Sequence, residues 1–195
     1  MAAVAYDVGG DHDPILDGAL AAFLDFGVRK TTMADIARRA GISPATLYRR
    51  YSQKSDLVAA VGLREAQRIL TLLDQTVDTS ATPLQQLTQL HFTVTEQLRG
   101  NDLLNRVLAT EPETVLPKLT IEAEPILEIA RSYLADFLSR LQREGHLPVY
   151  DVRPVADALV RLAQSEVLTP SKMPLSTDEA RAFVRDHLAP FIRLS

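Results

Sequence analysis

The apolar side chains of this chain recur at steps of three and four, with proline or glycine between successive runs, so it can fold only as a string of amphipathic helices. Strand-type alternation is nearly absent, and the expected fold class is all-α. The punctuation places the helices. Asp13-Pro14 sets a capping carboxylate before a proline at the first helical position, and Ile15, Leu16, Ala19, Leu20, Phe23 and Phe26 form one stripe that runs up to Gly27. Thr32, with Asp35 three residues on, is a capping-box variant that starts a short second helix over about 33–40, and Gly41 ends it. Ser43-Pro44 repeats the cap-and-proline signal, so a third helix begins after a turn of only Gly41, Ile42 and Ser43, and the two helices must cross steeply. Ser52 is read as the cap of a long fourth helix that carries Leu57, Val58, Val61, Leu63, Leu72 and Leu73 on one side. Further helices are expected near 83–99, 102–110, 119–145, 153–168 and 177–193, with prolines such as Pro112, Pro117, Pro148, Pro170 and Pro174 as breaks.

Composition narrows the function. With 195 residues, 46% hydrophobic and 24% charged, the chain is long enough for a sizeable core and too apolar to be disordered. It has no cysteine, which excludes disulfides, thiolate nucleophiles and thiolate metal sites. His12, His91, His146 and His187 are widely spread, and neither an HExxH pair nor a glycine-rich phosphate loop is present. No catalytic residue, metal site or cofactor is therefore expected. No apolar run approaches the length of a membrane span and the N-terminus does not read as a signal peptide, so a cytoplasmic protein without a membrane partner is expected.

A net charge of -4 would argue against nucleic acid, but the average hides a segregation. Residues 29–68 carry nine basic side chains against three acidic ones, a local +6, while residues 1–28 and 69–195 each carry -5. The third helix lies inside this window. Turned at about 100° per residue with Leu47 inward, it also buries Tyr51, directs Ala45 and Arg49 outward and leaves Thr46 and Tyr48 on the flanks. Small residues at its start (Ser43, Pro44, Ala45) let the backbone approach a groove closely, Arg49 can donate to guanine O6 and N7, and Thr46 can meet a base edge. Phosphate contacts would come from Tyr48, Lys54 and the backbone N–H groups that open the second and fourth helices. A helical hairpin with an arginine outside is also an ordinary solvated corner. The three-residue turn, the basic window and the absence of an acid on the outward face favour DNA.

The run from Thr31 to Leu57, Thr-Thr-Met-Ala-Asp-Ile-Ala-Arg-Arg-Ala-Gly-Ile-Ser-Pro-Ala-Thr-Leu-Tyr-Arg-Arg-Tyr-Ser-Gln-Lys-Ser-Asp-Leu, resembles the DNA-binding signature of the TetR family of bacterial transcriptional regulators. The resemblance covers residues 15–62. It implies a flexible tail (1–12), a helix-turn-helix domain (13–53), a connecting helix (54–78) and an effector-binding and dimerisation domain (79–195). By position, Thr32 and Met33 would start the helix that touches the DNA backbone, Pro44, Ala45, Thr46 and Arg49 would face the groove, and Tyr48 and Lys54 would grip phosphate. Tyr51 stands where phenylalanine is commoner, so its hydroxyl needs a partner or an exit to solvent. The implied partners are double-stranded DNA with a palindromic operator, a small apolar effector and a second copy of the chain.

Residues 83–195 carry no comparable motif. His91 interrupts the apolar stripe of the fifth helix, and a core histidine competes with a ligand contact there. Tyr133, Phe137 and Arg131 lie on or beside a broad apolar face, so they could orient an effector, with Leu104 and Val107 from the segment before it. A packed core with a snorkelling Arg131 is the competing reading. Val155, Ala156, Leu159, Val160, Leu162, Ala163, Val167 and Leu168 make the segment at 153–168 apolar on more than one side. With Phe183, Val184, Leu188, Phe191 and Ile192, it is expected to form a two-fold dimer interface. The competing functions are an enzyme with an unrecognised constellation and a helical module that binds protein instead of DNA.

Overall fold

Side-chain caps start these helices largely where the local pattern places them. The computed structural model describes residues 13–170 and 175–194; the tail 1–12, with His12, and Pro174 lie outside the described residues. The elements are α1 (Pro14–Phe26), α2 (Met33–Arg39), α3 (Pro44–Arg50), α4 (Lys54–Thr76), α5 (Pro83–Arg99), α6 (Asp102–Thr110), α7 (Pro112–Leu119), α8 (Glu124–Arg143), α9 (Val152–Leu168) and α10 (Thr177–Phe183). A π-helical turn (Val184–Leu188) and a last turn, α11 (Ala189–Phe191), complete the chain, and no strand occurs among the described residues.

Asp13 accepts from Ile15 N–H, Thr32 and Asp35 close a full capping box, and Ser43 accepts from Thr46 N–H. Ser52 is not the cap of α4. The helix begins at Lys54, and the Ser52 hydroxyl instead donates to Asp56 Oδ2 at 2.9 Å, which also accepts from Gln53 N–H at 3.2 Å. One helix was not foreseen. Pro112 stands at the break after α6 and opens α7 at a position whose missing N–H costs nothing, whereas Pro117 is accommodated inside this short element and does not act as a break. Conversely, the expected last helix is interrupted. Pro190 has no N–H to offer to the carbonyl four residues back, and Ala189 N–H reaches Val184 O in a wider π turn.

The chain divides into two compact units. Residues 13–65 and 102–122 form the first, and residues 66–101 and 123–194 form the second. In the first, Leu16, Phe23, Ile36, Leu47, Leu57 and Val61 make the core, and Val107 and Val115 of α6 and α7 join it. Gly18 allows α1 to approach α2, since a Cβ there would lie 3.0 Å from Ala40 N. Phe26 departs from its stripe: it is 44% exposed, and the Arg39 guanidinium lies 5.1 Å over its ring. In the second unit Leu73, Leu87, Phe137, Leu138, Leu141, Val184 and Ile192 form a separate core, and α8 packs along α9.

Candidate nucleic-acid interface

Three local features aim α3 outward. Gly41 takes φ +68 in the turn after α2, with Ile42 N–H bonded to Ala37 O at 3.0 Å. The Ser43 cap and Pro44 at the first position fix the direction in which α3 leaves. Leu47 is fully buried and anchors the helix by its inner side. Pro44, Ala45, Tyr48 and Arg49 are consequently exposed, Thr46 is half-buried, and the Thr46 hydroxyl lies 2.9 Å from Ser43 Oγ. Beside them an open notch of about 510 Å³ is lined by Asp13, Pro14, Ile15, Ile42, Thr46, Arg49 and Arg50.

The cations of the basic window are not equivalent. Arg38 pairs with Asp35 at 2.8 Å and Arg39 with Asp25 at 2.5 Å. Arg64 reaches Asp17 at 2.7 Å. Arg50 Nη2 stands 2.9 Å from the buried carboxylate oxygen Asp13 Oδ2, an ion pair without hydrogen-bond alignment, and its guanidinium lies 5.9 Å from the centroid of the Tyr51 ring. Tyr51 is half-buried, and its hydroxyl proton is held more tightly than usual, chiefly by burial. Among the described residues, Lys30, Tyr48 and Arg49 make no hydrogen bond or ion pair. These side chains remain available to an anion.

Lys54 is placed differently from a simple phosphate grip. Its Nζ donates to Arg29 O at 3.0 Å and Thr31 O at 2.8 Å, holding the turn between α1 and α2. An ammonium has three donors, so one remains. Thr32 is exposed, but its hydroxyl is committed to Asp35, and the Met33 side chain is buried in the core. The Thr32 N–H also donates to Asp35, at 3.1 Å, so a phosphate contact at this helix start runs through the backbone N–H of Met33 and the residues after it.

The residues read as an effector site divide between the two units. Val107 is buried in the first unit's core and Leu104 is half-buried on the same helix, whereas His91, Arg131, Tyr133 and Phe137 belong to the second unit. Arg131 is taken up by carboxylates: Glu124, Glu128 at 2.6 Å and Asp157 at 3.3 Å. These neighbours raise its pKa, the Glu128 hydrogen bond most. The Tyr133 hydroxyl is raised too, by burial first and then by Asp74, to which it is hydrogen-bonded. Phe137 is buried, with the Arg140 guanidinium 5.3 Å from its ring. His91 faces Phe183 at 5.8 Å and Phe92 at 6.1 Å, and burial lowers its pKa, so it is a neutral imidazole at pH 7. A groove of about 610 Å³ in this unit, lined among others by Asp78, Gln85, Thr88, Arg181 and Arg185, includes none of the six.

Comparison with known proteins agrees with this geometry. The family model of bacterial regulatory proteins of the tetR family matches residues 15–61, and that of the bacterial tetracyclin repressor C-terminal domain matches residues 87–185. An HTH-type transcriptional regulator of Mycobacterium tuberculosis is 30% identical over 161 residues, which are 83% of this chain and 80% of that protein. The HTH-type transcriptional repressor KstR2 of Mycolicibacterium smegmatis is 34% identical over 79 residues, 40% of this chain and 38% of its own length. Among solved structures, the TetR family repressor AlkX of Dietzia sp., implicated in biodegradation of n-alkanes, superposes with a TM-score of 0.73 at 23% identity, covering 93% of this chain and 97% of AlkX. The regulator FadR of Bacillus subtilis in complex with stearoyl-CoA gives 0.61 at 18% identity, covering 92% and 96%. No helix among the described residues is long and apolar enough to cross a membrane. With both halves matched by family models and its helix-turn-helix displayed on an N-terminal unit, the chain belongs to the TetR family of helix-turn-helix transcriptional regulators.

Proposed function

We propose that this protein is a homodimeric, ligand-responsive repressor that reads a palindromic operator with α3. The observation that carries the DNA assignment is the exposed, unpaired pair Tyr48 and Arg49 on the outer side of a helix anchored by Leu47. Arg49 reads a guanine edge; Thr46, Ala45 and Pro44 line the approach, with Ser43 at its head. Tyr48, the third Lys54 donor and the first N–H groups of α2, from Met33 onward beside the Thr32 cap, take phosphate. Two-fold symmetry sets two such helices about 34–36 Å apart, one turn of DNA.

The dimer reading rests on exposed apolar side chains at the chain's C-terminal end, Leu162 (54%) and Phe191 (48%), on elements already apolar on their inner sides. The effector is a small apolar molecule bound within the second unit. His91, neutral and free of hydrogen bonds among the described residues, supplies one polar contact beside Tyr133 and Phe137. Arg131 is already neutralised and contributes no charge to the ligand. The known similarity to a repressor implicated in n-alkane degradation and to a regulator bound to stearoyl-CoA supports an apolar effector class. Effector preference for one of two dimer states lowers DNA affinity, with α4, which contributes residues to both units, as the shared element.

A gel shift with the DNA upstream of the protein's own gene tests the DNA reading. Retention of that duplex over a scrambled one supports it; equal or no retention favours a protein-binding module on the same fold. Thermal shift with alkanes, long-chain acids and acyl conjugates tests the effector, and no shift with any of them refutes the apolar class.

A further inference from the structure

Residues 102–122 read in sequence as part of the effector domain, yet they pack into the same unit as the helix-turn-helix. Glu111, the residue between α6 and α7, is only 6% exposed. Its Oε2 accepts the Arg29 backbone N–H at 2.6 Å, a charge-assisted bond across 82 positions of sequence. Its Oε1 occupies the space that a Cβ at residue 27 would need, and Gly27, with φ +80, leaves that space open. One helical turn earlier, Arg106 donates to Leu24 O and, at 3.3 Å, to Asp25 O, carbonyls at the end of α1. Thr31, buried, closes the same turn through Ala22 O and Gly27 O. The turn over 27–32 carries Arg29 and Lys30 and delivers Thr32, the cap of α2. By contrast, the Arg29 guanidinium meets Glu113 only at 3.7 Å with both groups exposed, a pair that fixes little.

We propose that Glu111 is a positioning residue for DNA binding: its buried carboxylate, bonded to Arg29 N–H and seated against Gly27, holds the α1–α2 turn so that Arg29, Lys30 and the first N–H groups of α2 face the phosphate backbone. Arg106 assists by fixing the end of α1. The inference rests on the DNA-binding reading above and adds to it a segment, residues 102–122, that lies beyond the signature ending at Leu57. Its physical basis is simple. Val28 anchors the turn in the core and Lys54 holds the Arg29 and Thr31 carbonyls, but among the described residues the Arg29 N–H bonds only to Glu111, so the carboxylate sets the orientation of the backbone that carries the two cations.

The test uses the full-length protein, wild type and Glu111→Ala, Glu111→Gln and Arg106→Ala, in two measurements. Amide hydrogen exchange without DNA is expected to show loss of protection over residues 29–33 in Glu111→Ala and its recovery in Glu111→Gln, which keeps a carbonyl acceptor. Binding to the upstream duplex, measured across salt concentrations, is expected to weaken about tenfold in Glu111→Ala, with the slope of log K against log salt smaller by about 1–2, as one or two phosphate contacts are lost. A protein that has merely lost stability keeps its slope and loses active molecules. Glu111→Ala with lost protection but wild-type affinity and slope overturns the proposal, and so does weaker binding with an unchanged slope. Should Glu111→Ala fail to fold, Arg106→Ala is expected to lower affinity and slope in the same direction, and wild-type values for it are refuting. Wild-type protein that binds neither the upstream nor a scrambled duplex refutes the DNA reading itself, and the exchange data, which need no DNA, tell the two failures apart.

Discussion

Substituting Gly27 by alanine concentrates two costs at one atom. Gly27 has φ 80 and ψ 161, a region that residues with a Cβ enter at about 1–3 kcal/mol. The added Cβ would also collide with Glu111 Oε1, and the carboxylate must leave its bond with Arg29 N–H, worth about 1.5–3 kcal/mol as a hydrogen bond to a charged group. Together the substitution costs about 2.5–6 kcal/mol and lowers Tm by roughly 5–24 °C for a chain of this size. The assay is thermal unfolding followed by far-ultraviolet circular dichroism, run as a double-mutant cycle with Glu111→Ala. In the Glu111→Ala background the collision is gone, and Gly27→Ala costs only the dihedral part. The two changes should therefore be less than additive by about 1.5–3 kcal/mol, the part that Glu111 contributes. Additivity within about 0.5 kcal/mol would refute the packing of Glu111 against Gly27.

Arg49→Ala is expected to bring operator and scrambled DNA closer in affinity by about 1–3 kcal/mol, read by competition gel shift, because a bidentate base contact is lost; an unchanged ratio removes Arg49 from base reading. Leu162→Glu, on an exposed site of α9, is expected to leave the helical spectrum intact and to halve the mass seen by light scattering; a dimer that survives it counts against this face. Acid weakens the protein in a defined window. The carboxyl of Asp151 is lowered to about 2, mainly by the Arg153 side-chain hydrogen bond, and that of Asp35 is lowered, mainly by the Thr32 hydroxyl. Both folded values lie below the unfolded ones, so this stability is present above about pH 4 and is lost as pH falls toward 2. Asp35→Asn should flatten the decline of Tm over that interval, and an unchanged profile would exclude the capping box as a contributor.

Much of the fold was legible because helix starts are local. The caps at Asp13, Thr32 and Ser43 act on N–H groups two or three residues away, and all three form as their neighbours imply. Ser52 failed because Asp56, four residues on, competes for its hydroxyl and supplies the cap's partner from inside the helix. Helix α7 was missed because a proline at a first helical position and a proline that ends a helix look the same without the chain around them. The recognition face was legible for the same local reason: burying Leu47 turns Tyr48 and Arg49 outward on any seven-residue helix.

The effector candidates show the opposite case. A tyrosine and an arginine beside an apolar face carry two readings in sequence, ligand contact or packed core, and the carboxylates around them, Asp74 near Tyr133 and Glu124, Glu128 and Asp157 on Arg131, appear only in the fold. Asp157 stands 26 positions from Arg131, beyond any helical periodicity.

Amino-acid order alone determined that this chain is helical, that its basic residues gather in one window and that a small, arginine-bearing helix follows a three-residue turn, since each depends on groups within four positions of one another. Tertiary structure decided which cations stay unpaired, that Lys54 holds the α1–α2 turn, and that 102–122 share a core with the DNA-binding helices. Most of those outcomes depend on bonds between residues far apart in sequence, such as Arg39 to Asp25 across 14 positions, Lys54 to Arg29 across 25 and Glu111 to Arg29 across 82. No local pattern encodes such bonds, because what selects them is the burial of a carboxylate and the absence of a Cβ at Gly27.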